Sequence, residues 1–116
     1  MTIAQHARTD DHEPLHIGNI EIDWREMIVR VAGEEVHLTP IEFRLLSVLV
    51  RRRGWVVPYE QLLRDVWGPS YVGDRANLKL YVWYLRRKIE RDPANPELIL
   101  TRRGIGYIFG PRSLAA

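Results

Sequence analysis

The chain has 116 residues, 46% of them apolar and none of them cysteine, which allows one domain with a real core and excludes disulfides, thiolate metal sites and a cysteine nucleophile. No stretch approaches the roughly 20 apolar residues that span a bilayer, and a reducing cytoplasm fits a cysteine-free chain. The net charge is only +2, but up to Asp74 there are eight Lys/Arg against twelve Asp/Glu, and from Arg75 onward nine against three; a basic C-terminal third points to an acidic polymer as partner.

Met1 to Pro14 is polar and lacks an apolar period, and it reads as a tail or linker remnant rather than a signal peptide. Leu15 to Leu38 reads as short strands. Ile20, Ile22 and Trp24 alternate with Glu21 and Asp23, the period of a half-buried strand. Arg25-Glu26 makes a tight connection to a second strand over Met27 to Val31. Ala32-Gly33-Glu34-Glu35 is expected as a turn before Val36 and Leu38. A small antiparallel sheet is the natural product.

Thr39 is the expected N-cap of the first helix, with Pro40 at the first helical position and Glu42 closing a capping box. Phe43, Leu46, Leu49 and Val50 follow at core spacing. Arg51-Arg52-Arg53 is placed in the last turn, where the helix dipole favours cations, and Gly54 ends the helix. Trp55-Val56-Val57 reads as a strand. Pro58 opens a second helix carrying Leu62, Leu63, Val66 and Trp67, which Gly68-Pro69 stops.

The third helix is expected over Arg75 to Glu90. Leu78, Val82, Leu85 and Ile89 form its core stripe, and Ala76, Leu80, Trp83 and Arg87 lie opposite, flanked by Lys79 and Tyr84. That outward face holds aromatic, apolar and cationic residues instead of the usual solvated charges. After Asp92-Pro93-Ala94-Asn95-Pro96, Leu98 to Thr101 and Ile105 to Phe109 read as strands with Arg102-Arg103-Gly104 at a hairpin tip.

Helices two and three with their loop make a helix-turn-helix variant, in which the later helix enters the major groove. Asn77, Lys79 and Arg87 can hydrogen-bond bases or phosphates, and Ala76 and Leu80 are sized for a thymine methyl. Trp83 and Tyr84 reach the sugar-phosphate rim. Two arginines on a narrow loop can enter a minor groove, where A·T-rich sequence deepens the negative potential.

The chain resembles the OmpR/PhoB-type winged-helix effector domain of bacterial two-component response regulators. The motifs that carry the resemblance begin with Leu38-Thr39-Pro40-Ile41-Glu42-Phe43, Gly54-Trp55-Val56-Val57 and Val66-Trp67-Gly68. They end with Leu85-Arg86-Arg87-Lys88-Ile89-Glu90, Asp92-Pro93 and Thr101-Arg102-Arg103-Gly104-Ile105-Gly106-Tyr107. It implies an α+β winged helix-turn-helix over 15–110, between tails at 1–14 and 111–116. The implied parts are an N-terminal four-stranded antiparallel sheet, three helices and a C-terminal β-hairpin wing.

It further implies double-stranded DNA as partner, with the recognition helix at 75–90 and a minor-groove arginine at Arg103. Trp67 and Thr101 match positions that often touch phosphates. With Arg75, Arg86 and Arg102, these complete the expected DNA-contacting set. Gly68, Pro69, Ser70, Tyr71, Val72, Gly73 and Asp74 match a loop that meets RNA polymerase in some members. Tandem dimers on direct-repeat DNA also belong to the family's habits.

The sequence departs from the family at Ala76, where an arginine is common, and at Pro58-Tyr59, where Ser-Arg often supplies a helix cap and a phosphate contact. Trp83 and Tyr84 replace positions that are frequently cationic. The receiver domain that usually precedes this one is absent from the 116 residues. That leaves two expectations, an excised output domain of a phosphorelay or a receiver-less relative.

No enzyme, cofactor, metal or small-molecule substrate is expected. His6, His12, His16 and His37 make no ligand set, Ser47, Ser70 and Ser113 have no base arrangement, and Gly104-Ile105-Gly106 is too short for a dinucleotide turn. The alternative is a protein-interaction module using the same Leu80, Trp83 and Tyr84 face.

Overall fold

The computed structural model describes residues 13–110. The expected tails lie outside the described residues, apart from Glu13 and Pro14. The chain divides into two compact units between His37 and Leu38.

The first unit is a meander of four antiparallel strands, β1 (Leu15–Ile17), β2 (Ile20–Asp23), β3 (Ile28–Val31) and β4 (Glu34–Val36), in that spatial order. Its register explains its two faces. Leu15, Ile22, Val29 and Val36 pair in one row, and Ile17, Ile20 and Val31 in the next, so the apolar residues share a face. His16, Glu21, Arg30 and Glu35 form a row on the other, where Arg30 donates to Glu21 at 3.4 Å.

Expected boundaries shift for local reasons, and Met27 (φ 57) falls in the turn before β3. Trp24 leaves β2 because the Asp23 carboxylate accepts from the N–H groups of Arg25 and Glu26, both at 3.0 Å, and bends the chain. Glu34 and Glu35 belong to β4, because Ala32 (φ 52) and Gly33 (φ 85) complete a two-residue turn by themselves.

The second unit holds α1 (Pro40–Arg51), β5 (Val56–Pro58), α2 (Tyr59–Val66), a 3-10 turn (Pro69–Tyr71), α3 (Arg75–Ile89), β6 (Ile99–Arg102) and β7 (Gly106–Phe109). The capping box at α1 is complete: Glu42 N–H donates to Thr39 Oγ1 at 3.3 Å, and Thr39 N–H to Glu42 Oε1 at 2.9 Å. The helix stops at Arg51 with Arg52 as its C-cap, so Arg52 and Arg53 lie beyond it, two residues earlier than Gly54 suggests.

Leu46 and Leu49 of α1, Leu62 and Leu63 of α2, and Leu78, Val82, Leu85 and Ile89 of α3 are all buried. The three helices pack on one another, and α1 also packs on β7. The sheet order is β5-β7-β6, antiparallel throughout, with Phe109 buried on its central strand. Gly106 makes that sheet possible, since a Cβ there would overlap the Val57 carbonyl oxygen.

Candidate nucleic-acid interface

α3 begins at Asp74, whose carboxylate accepts from Asn77 N–H at 3.2 Å. Asp74 therefore caps the helix as well as ending the Gly68–Asp74 loop. The stripe Leu78, Val82, Leu85 and Ile89 faces the core. Arg75, Ala76, Lys79, Leu80, Trp83 and Arg87 are exposed, and Asn77, Tyr84 and Arg86 are half-buried.

Trp67, at the C-terminal end of α2, meets the Tyr81 ring edge-on at 5.4 Å, and Tyr81 meets Tyr84 at the same distance. Tyr84 contacts Trp83 at 5.7 Å, and the Arg87 guanidinium lies over Trp83 at 4.7 Å from the ring centroid. These aromatics form one continuous run that ends in a cation held on a ring face.

The hairpin tip lies one residue later than its sequence suggests. Arg102 pairs with Gly106 inside the ladder, and Ile105 N–H donates to Arg102 O at 2.9 Å. The tip is thus Arg103-Gly104-Ile105, all exposed, and Arg102 is half-buried on the strand. Gly104 sits at φ 79, which an L side chain resists.

Arg86 ties the hairpin to α3. Its Nε and a terminal nitrogen donate to Ile99 O at 3.1 and 2.7 Å, and that nitrogen also donates to Thr101 Oγ1 at 2.9 Å. Burial pulls the Arg86 guanidinium below its ordinary pKa, opposed by nearby Tyr107 and Glu90. Burial likewise raises the Tyr107 phenol, against the pull of Arg86. Arg86 and Thr101 are thereby committed to each other and to β6.

One cleft of about 900 Å³ brings the two elements together. From α3 it takes Arg75, Ala76, Lys79, Leu80, Trp83 and Arg86, and from the hairpin Thr101 and Arg103. Trp67, Asn77 and Arg102 do not line it, while Tyr84 and Arg87 border a smaller hollow with Glu42 and Lys88. The loop 68–74 is shaped by the 3-10 turn, which leaves Tyr71 exposed.

Two further residues lie outside the set expected from sequence. Tyr59 lines the cleft floor, with Arg75 over its ring at 4.7 Å and Gly104 N–H donating to its hydroxyl at 3.2 Å. Glu90 is buried at the end of α3, and its carboxylate accepts from the N–H groups of Glu97, Leu98 and Ile99 at 2.8–3.1 Å. Each left a trace in the sequence. Tyr59 stands at a departure from the family pattern, and Glu90 is an acid at a helix C-terminus, where the dipole disfavours it.

The family model described as "Transcriptional regulatory protein, C terminal" matches residues 33–109. The KdpE regulatory protein of the Escherichia coli KDP operon is 42% identical over 110 residues, covering 94% of this chain and 49% of that protein. The DNA-binding response regulator MtrA of Mycolicibacterium smegmatis is 42% identical over 112 residues, 94% of this chain and 49% of its own length. The chain thus spans about half the length of these relatives.

Among solved structures, the Klebsiella pneumoniae RstA DNA-binding domain in complex with the RstA box superposes with a TM-score of 0.79 at 29% identity, over 86% of this chain and 99% of that one. The Thermotoga maritima response regulator DrrB, an OmpR/PhoB homologue, gives 0.74 at 30% identity over 94% and 51%. The four-stranded sheet, three helices and C-terminal hairpin are those of winged-helix domains of this kind, and the chain belongs to the family of transcriptional regulatory protein C-terminal domains, the OmpR/PhoB-type winged-helix effectors.

Proposed function

We propose that the chain binds double-stranded DNA sequence-specifically and regulates transcription, with α3 in the major groove and the Arg103 tip in the minor groove. The observation that carries this reading is the shared cleft. It sets the exposed cations Arg75, Lys79 and Arg103 around the apolar surfaces of Ala76, Leu80 and Trp83. Cations supply sequence-independent attraction to phosphates, and the small apolar residues suit thymine methyls. The superposition on a domain in complex with its DNA box supports it.

On this reading Arg86 and Thr101 hold the wing at a fixed angle, and residues 15–110 act as one effector domain. Its place is proposed as the bacterial cytoplasm and its role as the output domain of a phosphorelay response regulator or a receiver-less relative; a relative named as a DNA-binding response regulator supports the role. Tandem binding on direct repeats and a polymerase contact through the loop 68–74, where Tyr71 is exposed, belong to the same proposal.

Selection of bound duplexes from a random-sequence pool tests it. Enrichment of a defined motif is the expected result, and recovery of no motif contradicts it. Exposed Trp83 and Leu80 favour one other reading, a protein contact on the same face. That contact would persist at salt concentrations that strip DNA from the cleft.

A further inference from the structure

We infer that Tyr59 is a positioning residue that fixes the wing tip against the N-terminal end of α3, and so sets the offset between major-groove and minor-groove contacts. The inference rests on the DNA-binding reading above.

Tyr59 opens α2 without a side-chain cap from Pro58, and four contacts converge on it. Its backbone N–H donates to Ile105 O at 3.0 Å, and its hydroxyl accepts from Gly104 N–H at 3.2 Å. Both partners belong to the exposed tip beside Arg103. Its ring carries the Arg75 guanidinium on one face and meets the Tyr107 ring edge at 5.7 Å. One side chain therefore touches the tip, the base of the wing and the first residue of α3.

The tip needs such a contact. It is three exposed residues long, and Gly104 has more backbone freedom than any other residue type. The ladder beneath it fixes where the hairpin starts but not where Arg103 points. A bond to Gly104 N–H fixes the backbone next to Arg103, and the Arg75 stack refers that position to α3. The two cations that would reach different grooves are thus measured against a single ring. Binding in two grooves at once requires that offset to match the duplex, where one base pair is about 3.4 Å of rise.

The separate attachments allow separate tests. Tyr59→Phe removes the hydroxyl bond to Gly104 and keeps the ring, so it leaves the Arg75 stack and the fold in place. Tyr59→Leu removes the hydroxyl bond and the Arg75 stack together, and the backbone bond from residue 59 to Ile105 O remains in both variants. The probes are three forms of the duplex that the wild-type chain selects from a random pool. One keeps an A·T flank under the wing, one replaces it with G·C, and one moves the A·T flank outward by one base pair.

Wild type is expected to prefer the first form by about tenfold. Tyr59→Phe is expected to bind the core sequence nearly as well, with the flank preference falling toward none. Tyr59→Leu is expected to weaken core binding as well, because Arg75 loses its seat. In the protein without DNA, amide exchange at Gly104 should be faster in both variants.

A Tyr59→Phe chain that keeps the wild-type flank ratio overturns the inference, even if Gly104 exchanges faster. A wild type that selects a motif but ignores the flank overturns it too. A wild type that selects no motif removes the DNA-binding reading itself, which is a different and recognisable failure.

Discussion

Glu90, at the C-terminal end of α3, is 8% exposed and accepts from three successive backbone N–H groups. Asp74, at the N-terminal end, is exposed and accepts from Asn77 N–H at 3.2 Å. Next to Glu90, Lys88 donates to the buried Glu42 of α1 at 2.7 Å, and Arg86 bonds to β6. Next to Asp74, Arg75 rests on the Tyr59 ring. Hydrogen bonds and ion pairs strengthen where water is excluded. The C-terminal end of the helix is therefore held by buried partners, while Asp74 and Arg75 at the N-terminal end are held by contacts water can enter.

Breaking the core stripe should do the most damage. Leu85→Ala is expected to cost about 2–5 kcal/mol of stability, because a fully buried side chain leaves a cavity between the helices. Chemical denaturation checks it, and near-wild-type stability would mean that the helix is turned the other way. Glu90→Ala should follow, at about 2–4 kcal/mol, since three N–H groups near β6 lose their acceptor. Glu90→Gln should recover part of that loss, and equal losses in the two variants would show that charge matters more than acceptor geometry.

At the other end the effects should move from stability to binding. Lys79→Ala should leave the fold intact and change which bases are preferred, by about 1–3 kcal/mol at one position. A uniform loss across all sequences would make Lys79 a phosphate contact instead. Asp74→Ala should cost only about 1 kcal/mol, the usual worth of an N-cap. A loss as large as that of Glu90→Ala would erase the contrast between the two ends.

The anchored and open ends were not equally legible in the sequence. Thr39-Pro40-Ile41-Glu42 announces its helix because every partner lies within one turn, and the α3 stripe follows from period alone. The outward aromatics and the wing arginines were visible as residue types in an unusual place. Glu90 and Tyr59 were not visible in their roles, because their partners arrive through the fold. Gly104 is 45 residues from Tyr59, and Leu98 reaches Glu90 only after the chain reverses. Residue type alone does not separate Arg102 from Arg103; the resemblance singles out Arg103, and the ladder register places Arg102 in the strand and Arg103 at the tip.

The salt dependence of binding to the selected duplex tests most directly whether the cleft holds DNA. Each phosphate neutralised by a cation contributes a slope of about −0.9 in log affinity against log salt. Wild type is expected to show a slope of several such units, and Arg103→Ala a shallower one. Affinity that stays flat as salt rises, in either protein, would contradict DNA binding in the cleft.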